Sequence, residues 1–328
     1  MITFFLIYTT PMIQEISTPQ TLSNNDTQSR SDHCPPQVSQ HFHIPGQGNK
    51  TALDLLADKT GLSKQLLKNY AQKGAVWIQR NTTKNRASKP ERLRRLKRVV
   101  SDQDILDFYY NPQLLNQVPT PPTLVADFID YSVWIKPRGM LSQGSKWSDH
   151  TALYRWIEMN YQPNGQIRQA WIVHRLDRAT HGLMLIAHSK KTAAALSRAF
   201  EENQVHKTYQ ALTWGQYPVK TQTIQIPIDE KQATSHVSLL NYDAEQNCSL
   251  VEIEIETGRK HQIRRHLSET GFPIIGDRMY GDSKLDEQLE PMPDLQLTAY
   301  NLCLQCPITQ TEKCFTLTTE QLDLLNVL

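Results

Sequence analysis

The chain lacks several features that would assign it to a class at once. No segment of its 328 residues holds the roughly 18–20 consecutive apolar residues that a membrane-spanning helix needs, so we expect a soluble protein without a membrane partner. Charge of neither sign dominates, because 35 basic residues stand against 33 acidic ones. Whole-chain charge therefore gives no indication of a nucleic-acid partner. The five cysteines are scattered and give no disulfide framework, which favours a reduced, cytoplasmic setting.

A recognisable metal-binding pattern is also missing. Cys303 and Cys306 form a CxxC pair with Cys314 nearby, but a zinc ribbon normally needs a second such pair. The segment 302–307 fits better as a strand that runs into a turn, with the cysteines as small apolar side chains. We therefore expect no metal.

Composition divides the chain into four parts. Residues 13–45 are rich in polar residues and proline and nearly devoid of aromatic side chains, which is typical of a disordered segment. Thr51 and Ser63 are placed to cap two short helices, and 75–78 and 105–110 have the pattern of strands. The predicted parts are a disordered extension (1–45), a small α+β module (46–111), a proline-rich linker (112–123) and a strand-rich domain (124–328).

Local charge departs from the balanced total in one place. The excess of positive charge lies between residues 84 and 98, where Glu91 is the single acidic residue. The basic residues are Lys84, Arg86, Lys89, Arg92, Arg94, Arg95, Lys97 and Arg98. Such a run attracts phosphate backbones, although a solvated charged stretch has the same composition.

The segment 174–187, HRLDRATHGLMLIA, is the most informative in the chain. Asp177 lies between Arg175 and Arg178, and the apolar run 183–187 after Gly182 predicts a buried strand. A carboxylate on the loop that leads into a core strand is held rigidly, as a nucleophile or general base must be. The alternative is an Asp–Arg pair that only closes a surface loop.

Four ordered blocks resemble the RluA-type RNA pseudouridine synthases. HRLDRATHG resembles their active-site signature, HRLD followed by two variable residues and Thr-Ser-Gly, although His181 stands where the family has serine. The other three are similar to its KPxG turn, its KxYxA strand and its TGRxHQIRxH…GD block. They read Lys136-Pro137-Arg138-Gly139, Lys207-Thr208-Tyr209-Gln210-Ala211, and TGRKHQIRRHL followed by Gly276-Asp277. The resemblance covers roughly residues 124–320.

The resemblance implies a fold and a set of site residues. The implied fold class is α+β, with a mixed, mainly antiparallel sheet and flanking helices. A small module like that of a small-subunit ribosomal protein precedes it. Asp177 would be the nucleophile or base, Arg264 its ion-pair partner, and Tyr209 the ring that stacks on uracil. The residues expected to bind substrate are Arg175, which would fill the space of a flipped base, Ile263 under that base, and Lys207, Arg259, His261 and Gln262.

The implied reaction converts uridine to pseudouridine in structured RNA. The base is detached from the ribose and rejoined through a ring carbon, so no atom is gained or lost and no cofactor is expected. Large-subunit ribosomal RNA is the expected target, with transfer RNA as the alternative, and we expect a monomer. Two other functions stay open: an N-glycosylase that releases the base, and a non-catalytic RNA-binding protein on the same fold.

Overall fold

The computed structural model describes residues 38–82, 86–218 and 221–325. The strands are β1 (Gln40–Pro45), β2 (Val76–Gln79), β3 (Asn81–Thr82), β4 (Arg86–Ala87), β5 (Glu91–Arg92), β6 (Ile105–Tyr110), β7 (Thr123–Asp127), β8 (Tyr131–Lys136), β9 (Trp171–Ile172), β10 (His181–Ala187), β11 (Val205–Trp214), β12 (Thr221–Ile224), β13 (Ser235–Asp243), β14 (Cys248–Ile255), β15 (Leu297–Gln305) and β16 (Glu312–Thr316). The helices are α1 (Ala52–Thr60), α2 (Lys64–Gln72), α3 (Pro112–Leu115), α4 (Leu153–Asn160), α5 (Lys190–Glu201), α6 (Gln262–Glu269) and α7 (Ser283–Asp286). Within these residues, no helix is long and apolar enough to cross a lipid bilayer.

A four-stranded sheet in the order β1-β6-β2-β5 carries α1 and α2 against one face. The predicted helix caps are confirmed. Thr51 Oγ1 accepts a hydrogen bond from the N–H of Asp54 (3.2 Å), and Ser63 Oγ accepts one from the N–H of Leu66 (3.3 Å). Each bond satisfies a donor that the first helical turn leaves unpaired.

Strand β1 corrects the expectation that residues up to 45 are disordered. Its backbone pairs with β6 from Gln40 to Pro45, and its Phe42 and Ile44 pack into the apolar core beneath the sheet. Two alternate apolar residues are sufficient here because β6 supplies the backbone hydrogen bonds. Residues 1–37, which include most of the predicted extension, lie outside the described residues.

The proline-rich segment 112–123 begins with a turn of helix that packs inward. Leu115 in α3 is fully buried within the same core as α1 and α2. The carbonyl of Gln117 accepts a hydrogen bond from His150 Nε2 (2.9 Å). The first half of the segment thus makes contacts on both sides, and the partition into domains stays a prediction.

The larger sheet has ten strands, eight of them in the order β12-β13-β14-β11-β15-β10-β8-β7, with β16 on β15 and β9 on β10. Among its described pairings, only β10 with β15 is parallel. Helices cover it, so the expected mixed, mainly antiparallel α+β fold is confirmed.

Strand β10 is the predicted buried strand, and both of its faces are covered. Met184 and Ile186 pack into the core on one face, whereas Leu183 and Leu185 pack into the core on the other. At its start, Gly182 has a φ of 119°, and a Cβ there would lie 2.3 Å from the carbonyl oxygen of Ala299. The glycine of the signature is therefore required by the close approach of β15.

Cys303 and Cys314 form a disulfide, which the scattered spacing did not indicate. They lie directly opposite each other on β15 and β16. Treating Cys303 as an unpaired apolar side chain is therefore wrong, whereas Cys306 is free and buried. The predicted passage from a strand into a turn at 302–307 is confirmed.

Asp149 holds the segment after β8 against the four-stranded sheet. Its side chain is fully buried and pairs with Arg94 Nη2 (2.5 Å) and Arg92 Nε (3.2 Å), while Tyr154 donates a third hydrogen bond (2.8 Å). The N–H of Asp149 also donates to the carbonyl of Lys73 (3.0 Å). Arg92 and Arg94 thus supply the opposite charge next to this buried carboxylate.

Candidate active site

Asp177 lies on the loop between β9 and β10, and neighbouring residues hold this loop firmly. The N–H of Leu176 donates to Ser142 Oγ (2.9 Å), which in turn donates to the carbonyl of Leu176 (2.6 Å). The N–H of Gly139 donates to the carbonyl of Arg178 (2.9 Å). The KPxG turn and the signature loop are therefore bonded together on both sides of Asp177.

Lys136 is a buried residue of this region to which the sequence assigned no role. Its Nζ donates to the carbonyls of Met140 (3.0 Å), Pro137 (3.1 Å) and Arg178 (3.3 Å). An ammonium group has three donors, and here each finds a carbonyl acceptor. The lysine of the KPxG turn thus positions the backbone next to Asp177.

The predicted Arg264–Asp177 ion pair is present but is not the main pairing of Arg264. Arg264 Nη1 lies 3.7 Å from Asp177 Oδ2, whereas its Nε and Nη2 bind both oxygens of Asp277 at 2.7 and 2.6 Å. Two parallel short hydrogen bonds fix the plane of a guanidinium. Asp277 therefore aims the third nitrogen of Arg264 at Asp177.

Asp277 was overlooked as a functional residue, although the Gly-Asp of the last block contains it. Burial raises its pKa, but hydrogen bonds from Arg264 and from the N–H groups of Met279 and Tyr280 outweigh burial and bring the pKa below its usual value. The carboxylate is ionised at neutral pH and keeps Arg264 paired.

His261 lies on the other side of Asp177. Its backbone is left-handed (φ 56°) at the residue before α6, which turns its ring toward the loop. Nε2 is 3.7 Å from Asp177 Oδ2, and Nδ1 is hydrogen-bonded to the hydroxyl of Tyr280 (3.0 Å). Burial lowers the pKa of His261 even though Asp177 raises it.

A small cavity of about 200 Å³ opens beside Asp177 and contains the two residues expected to contact the base. Tyr209, on β11, and Ile263 both line it and are nearly buried. Burial and, to a smaller extent, Asp177 raise the pKa of Tyr209, so its hydroxyl is protonated. Ile263 lies in the first turn of α6.

A larger cleft of about 760 Å³ shares Asp177 with the small cavity. Its lining includes five arginines, namely Arg138, Arg175, Arg178, Arg264 and Arg278. Arg175 lines both spaces and is exposed. A carboxylate at the junction of an arginine-rich cleft and a partly apolar cavity can meet one base while cations hold the phosphates around it.

Two more of the residues expected to bind substrate, Arg259 and Gln262, line the small cavity. Arg259 lines the small cavity while its Nε donates to the carbonyl of Gln232 (3.0 Å). Gln262 also lines it, but Thr257, Arg259, Thr234 and Ser235 occupy its side-chain amide. The side-chain amide of Gln262 therefore holds the loop, and its contact with a substrate stays a prediction.

Lys207 lines neither space. Its Nζ lies 5.6 Å from the ring of Phe200, and burial lowers its pKa. Its role in substrate binding is not supported by this position.

His181, which departs from the family signature, has a role at the C-terminal end of the chain. Its Nε2 donates to the carbonyl of Gln321 (2.9 Å), and its Nδ1 lies 3.6 Å from Asp323, which also pairs with Arg138. Burial lowers the pKa of His181. His181 thus binds the segment that contains Gln321 and Asp323 to the start of β10.

The side chains of the basic run (residues 84–98) do not all face the solvent. Arg92 and Arg94 turn inward onto Asp149. The exposed members are Lys89, Arg95, Lys97 and Arg98. Lys84 lies outside the described residues, as does the side chain of Arg86.

Known proteins are similar to this chain in sequence. The sequence model of the RNA pseudouridylate synthase family matches residues 130–269. The dual-specificity RNA pseudouridine synthase RluA of Salmonella typhimurium is 31% identical over 216 residues, which are 60% of this chain and 91% of that protein. The chain belongs to the RluA-type RNA pseudouridine synthase family.

A second relative and a solved structure fit this assignment. An uncharacterized RNA pseudouridine synthase of Bacillus subtilis is 33% identical over 160 residues, or 44% of this chain, and the match spans about half (53%) of that relative's length. The structure of human RNA pseudouridylate synthase domain containing 1 superposes with a TM-score of 0.50 at 22% identity, covering 62% of this chain and 86% of the human one. The latter likeness shows the shared fold.

Proposed function

We propose that this chain isomerises uridine to pseudouridine in RNA, with Asp177 as the reacting carboxylate. The observation that carries the proposal is the position of Asp177 at the junction of the arginine-lined cleft and the small cavity with Tyr209 and Ile263. A uridine must leave its stack to reach such a site, and the cavity gives it an aromatic and an apolar wall.

The chemistry follows from what each residue can supply. The bond from ribose C1′ to N1 of uracil breaks, and a bond from C1′ to C5 forms. C5 loses its proton while N1 gains one. Asp177 acts as nucleophile or base, and the Arg264 guanidinium, whose Nη1 lies 3.7 Å from Asp177 Oδ2, stabilises its negative charge. The walls of the cavity exclude water, which would otherwise release the base.

The remaining substrate contacts are part of the proposal. Arg175, exposed where cleft and cavity meet, occupies the space that the flipped base leaves, since its planar cation stacks well on bases. Arg178 and Arg278 on the cleft wall bind the flanking phosphates. The exposed basic residues of the module at 46–111 extend this binding surface to more distant RNA.

The proposed target is large-subunit ribosomal RNA, with transfer RNA as the alternative, in the cytoplasm. One relative is a ribosomal large subunit pseudouridine synthase D (from Buchnera aphidicola), and the RluA relative is described as dual-specificity. Mapping pseudouridines in RNA from cells with and without this protein identifies the target uridine.

The substitution Asp177→Asn tests the reaction. It keeps the shape of the side chain and removes its charge, so we expect isomerisation to be abolished while RNA affinity stays within a few-fold of the parent, about 1 kcal/mol. The measurement is tritium release from RNA labelled at C5 of uridine. Asp294→Asn is the matched control, because Asp294 also lines the cleft and is exposed.

Two results contradict the proposal. Activity of Asp177→Asn within tenfold of the parent removes Asp177 from the chemistry. Free uracil as the product of the parent protein identifies a base-releasing glycosylase instead.

A further inference from the structure

Two histidines and an aspartate meet on the outer face of the four-stranded sheet, away from the face that α1 and α2 cover. His41 and His43 alternate along β1 with Phe42 and Ile44, whose side chains enter the core. Because side chains alternate along a strand, the two imidazoles share the outer face. Asp107 lies directly opposite His43 on β6 and faces the same way.

The three side chains converge on one point. His41 Nε2 and His43 Nδ1 each lie 2.8 Å from the same oxygen, Oδ1 of Asp107. One ligand atom from each residue lies within 4.8 Å of the others. In the described part of the chain, no other set of three histidine, cysteine or carboxylate side chains is grouped in this way.

Packing orients part of this group before any ligand binds. The ring of His41 stacks on Tyr109 with centroids 4.3 Å apart and planes 2° apart, and Tyr109 in turn contacts Trp147 edge-on at 5.5 Å. The Asp107 side chain is only 13% exposed, so β1 and β2 hold it in place. A site whose ligands are already oriented loses less conformational entropy on binding.

We propose that His41, His43 and Asp107 bind a divalent transition-metal ion such as Zn²⁺ or Ni²⁺. Two imidazole nitrogens with one carboxylate oxygen suit these ions, whereas Mg²⁺ and Ca²⁺ require mainly oxygen ligands. The histidine side chains are 42% and 61% exposed, so an ion reaches the site from solvent, and water completes its coordination.

The ion cross-links the edge of the sheet. Strand β1 lies at the edge and is paired with β6 alone among the described strands. Two of the three ligands come from β1 and the third from β6, so binding ties the edge strand to its neighbour. A ligand that binds the folded state alone raises stability in proportion to the logarithm of its concentration over Kd.

The test uses the full chain without a polyhistidine tag, titrated with ZnCl₂ against a chromophoric chelator. We expect one strongly bound equivalent in the parent, and at least about a tenfold weaker Kd in His43→Gln and in Asp107→Asn. Zn²⁺ is also expected to raise the melting temperature and to slow hydrogen exchange of the β1 amides in the parent but not in the variants.

The control is His236→Gln. His236 is also on a strand and also lies 2.8 Å from a carboxylate oxygen, that of Glu256, but no second histidine completes the set among the described residues. It is expected to bind Zn²⁺ like the parent. Equal affinity of the parent and His43→Gln overturns the proposal, and so does a parent that binds Mg²⁺ as tightly as Zn²⁺. His41→Gln repeats the test in a second position, so a misfolded single variant does not decide it.

Discussion

At the scale of single residues, Arg264 is bound to two carboxylates at unequal distances. Asp277 takes the bidentate pairing, and Asp177 faces the remaining nitrogen at 3.7 Å. The short pairing keeps Arg264 in place and leaves Asp177 less tightly held, so that its oxygen can meet a substrate. A reacting carboxylate with a bidentate arginine of its own would have to give up that pairing first.

The substitution Arg264→Met is expected to lower both stability and activity. It leaves Asp277 buried and without its cation, which typically costs about 3–5 kcal/mol of unfolding free energy. Urea unfolding measures this decrease. Arg278→Met is the control, because Arg278 pairs with Asp294 at the surface, where such pairs contribute about 0–1 kcal/mol. Similar decreases in the two variants contradict a structural role for the Arg264–Asp277 pair.

His174, the first residue of the signature, predicts a pH dependence of stability. Burial, with a smaller effect from Lys207, lowers its pKa to about 3, and its Nε2 accepts a hydrogen bond from the N–H of Leu185. The unfolded chain therefore binds the proton more readily. Stability from this residue is complete above its ordinary pKa of 6.5 and is lost as the pH falls toward 3, by about 1.4 kcal/mol per pH unit.

The measurement is unfolding free energy at several pH values between 6.5 and 4. We expect a shallower dependence in His174→Gln than in the parent, because the variant has no buried imidazole to protonate. His206→Gln replaces an exposed histidine on β11 and is expected to keep the slope of the parent. An unchanged slope in His174→Gln means that another group causes the acid sensitivity.

At the scale of elements, local sequence signals were sufficient to predict some helices and strands but not others. The caps Thr51 and Ser63 and the apolar run 183–187 act within a few residues, so their helices and strand could be predicted. Strand β1 could not be predicted, because the residues of β6 that pair with it lie 60 to 70 positions further along the chain. His41 and His43 are just as distant from Asp107 along the chain, so no local pattern could predict that the three side chains meet.

Helix α3 was not predicted either, because it lies in the proline-rich segment that was expected to be a linker. Leu115→Ala is expected to cost about 2–5 kcal/mol of unfolding free energy, because Leu115 is fully buried and its removal leaves a cavity in the core of the module. Val118→Ala is the control, since Val118 is 92% exposed. Chemical unfolding of both variants makes the comparison. A small, equal effect means that the whole segment behaves as a linker.

At the scale of the whole molecule, the active-site elements come from distant parts of the chain. The family resemblance predicted that Asp177, Tyr209 and Arg264 belong to one site. In the structure all three line the small cavity. Asp277 and Lys136 were within the quoted blocks, but only coordinates show that one orients Arg264 and the other holds the loop of Asp177. Inward pairing of Arg92 and Arg94 depends on Asp149, more than 50 residues away, and no local pattern reveals it.

The last prediction concerns the basic run and its interaction with RNA. Arg92 and Arg94 are bound to Asp149, so among the described side chains of the run those available to phosphates are the exposed ones: Lys89, Arg95, Lys97 and Arg98. Replacing these four with glutamine is expected to weaken RNA binding. The slope of log affinity against log salt is expected to fall by roughly 0.7–0.9 for each phosphate that the variant no longer neutralises.

The matched control replaces four exposed lysines elsewhere with glutamine, namely Lys190, Lys191, Lys231 and Lys284, which changes the net charge by the same amount. If binding responds only to net charge, the slope falls equally in both variants. A larger fall of the slope in the first variant means that the module binds RNA phosphates. The slope depends on the counterions released from the RNA, and they are released where a protein cation neutralises a phosphate. Uridine conversion in a short RNA at saturating concentration is expected to be unchanged in both, since none of the eight residues lines the cleft or the cavity next to Asp177.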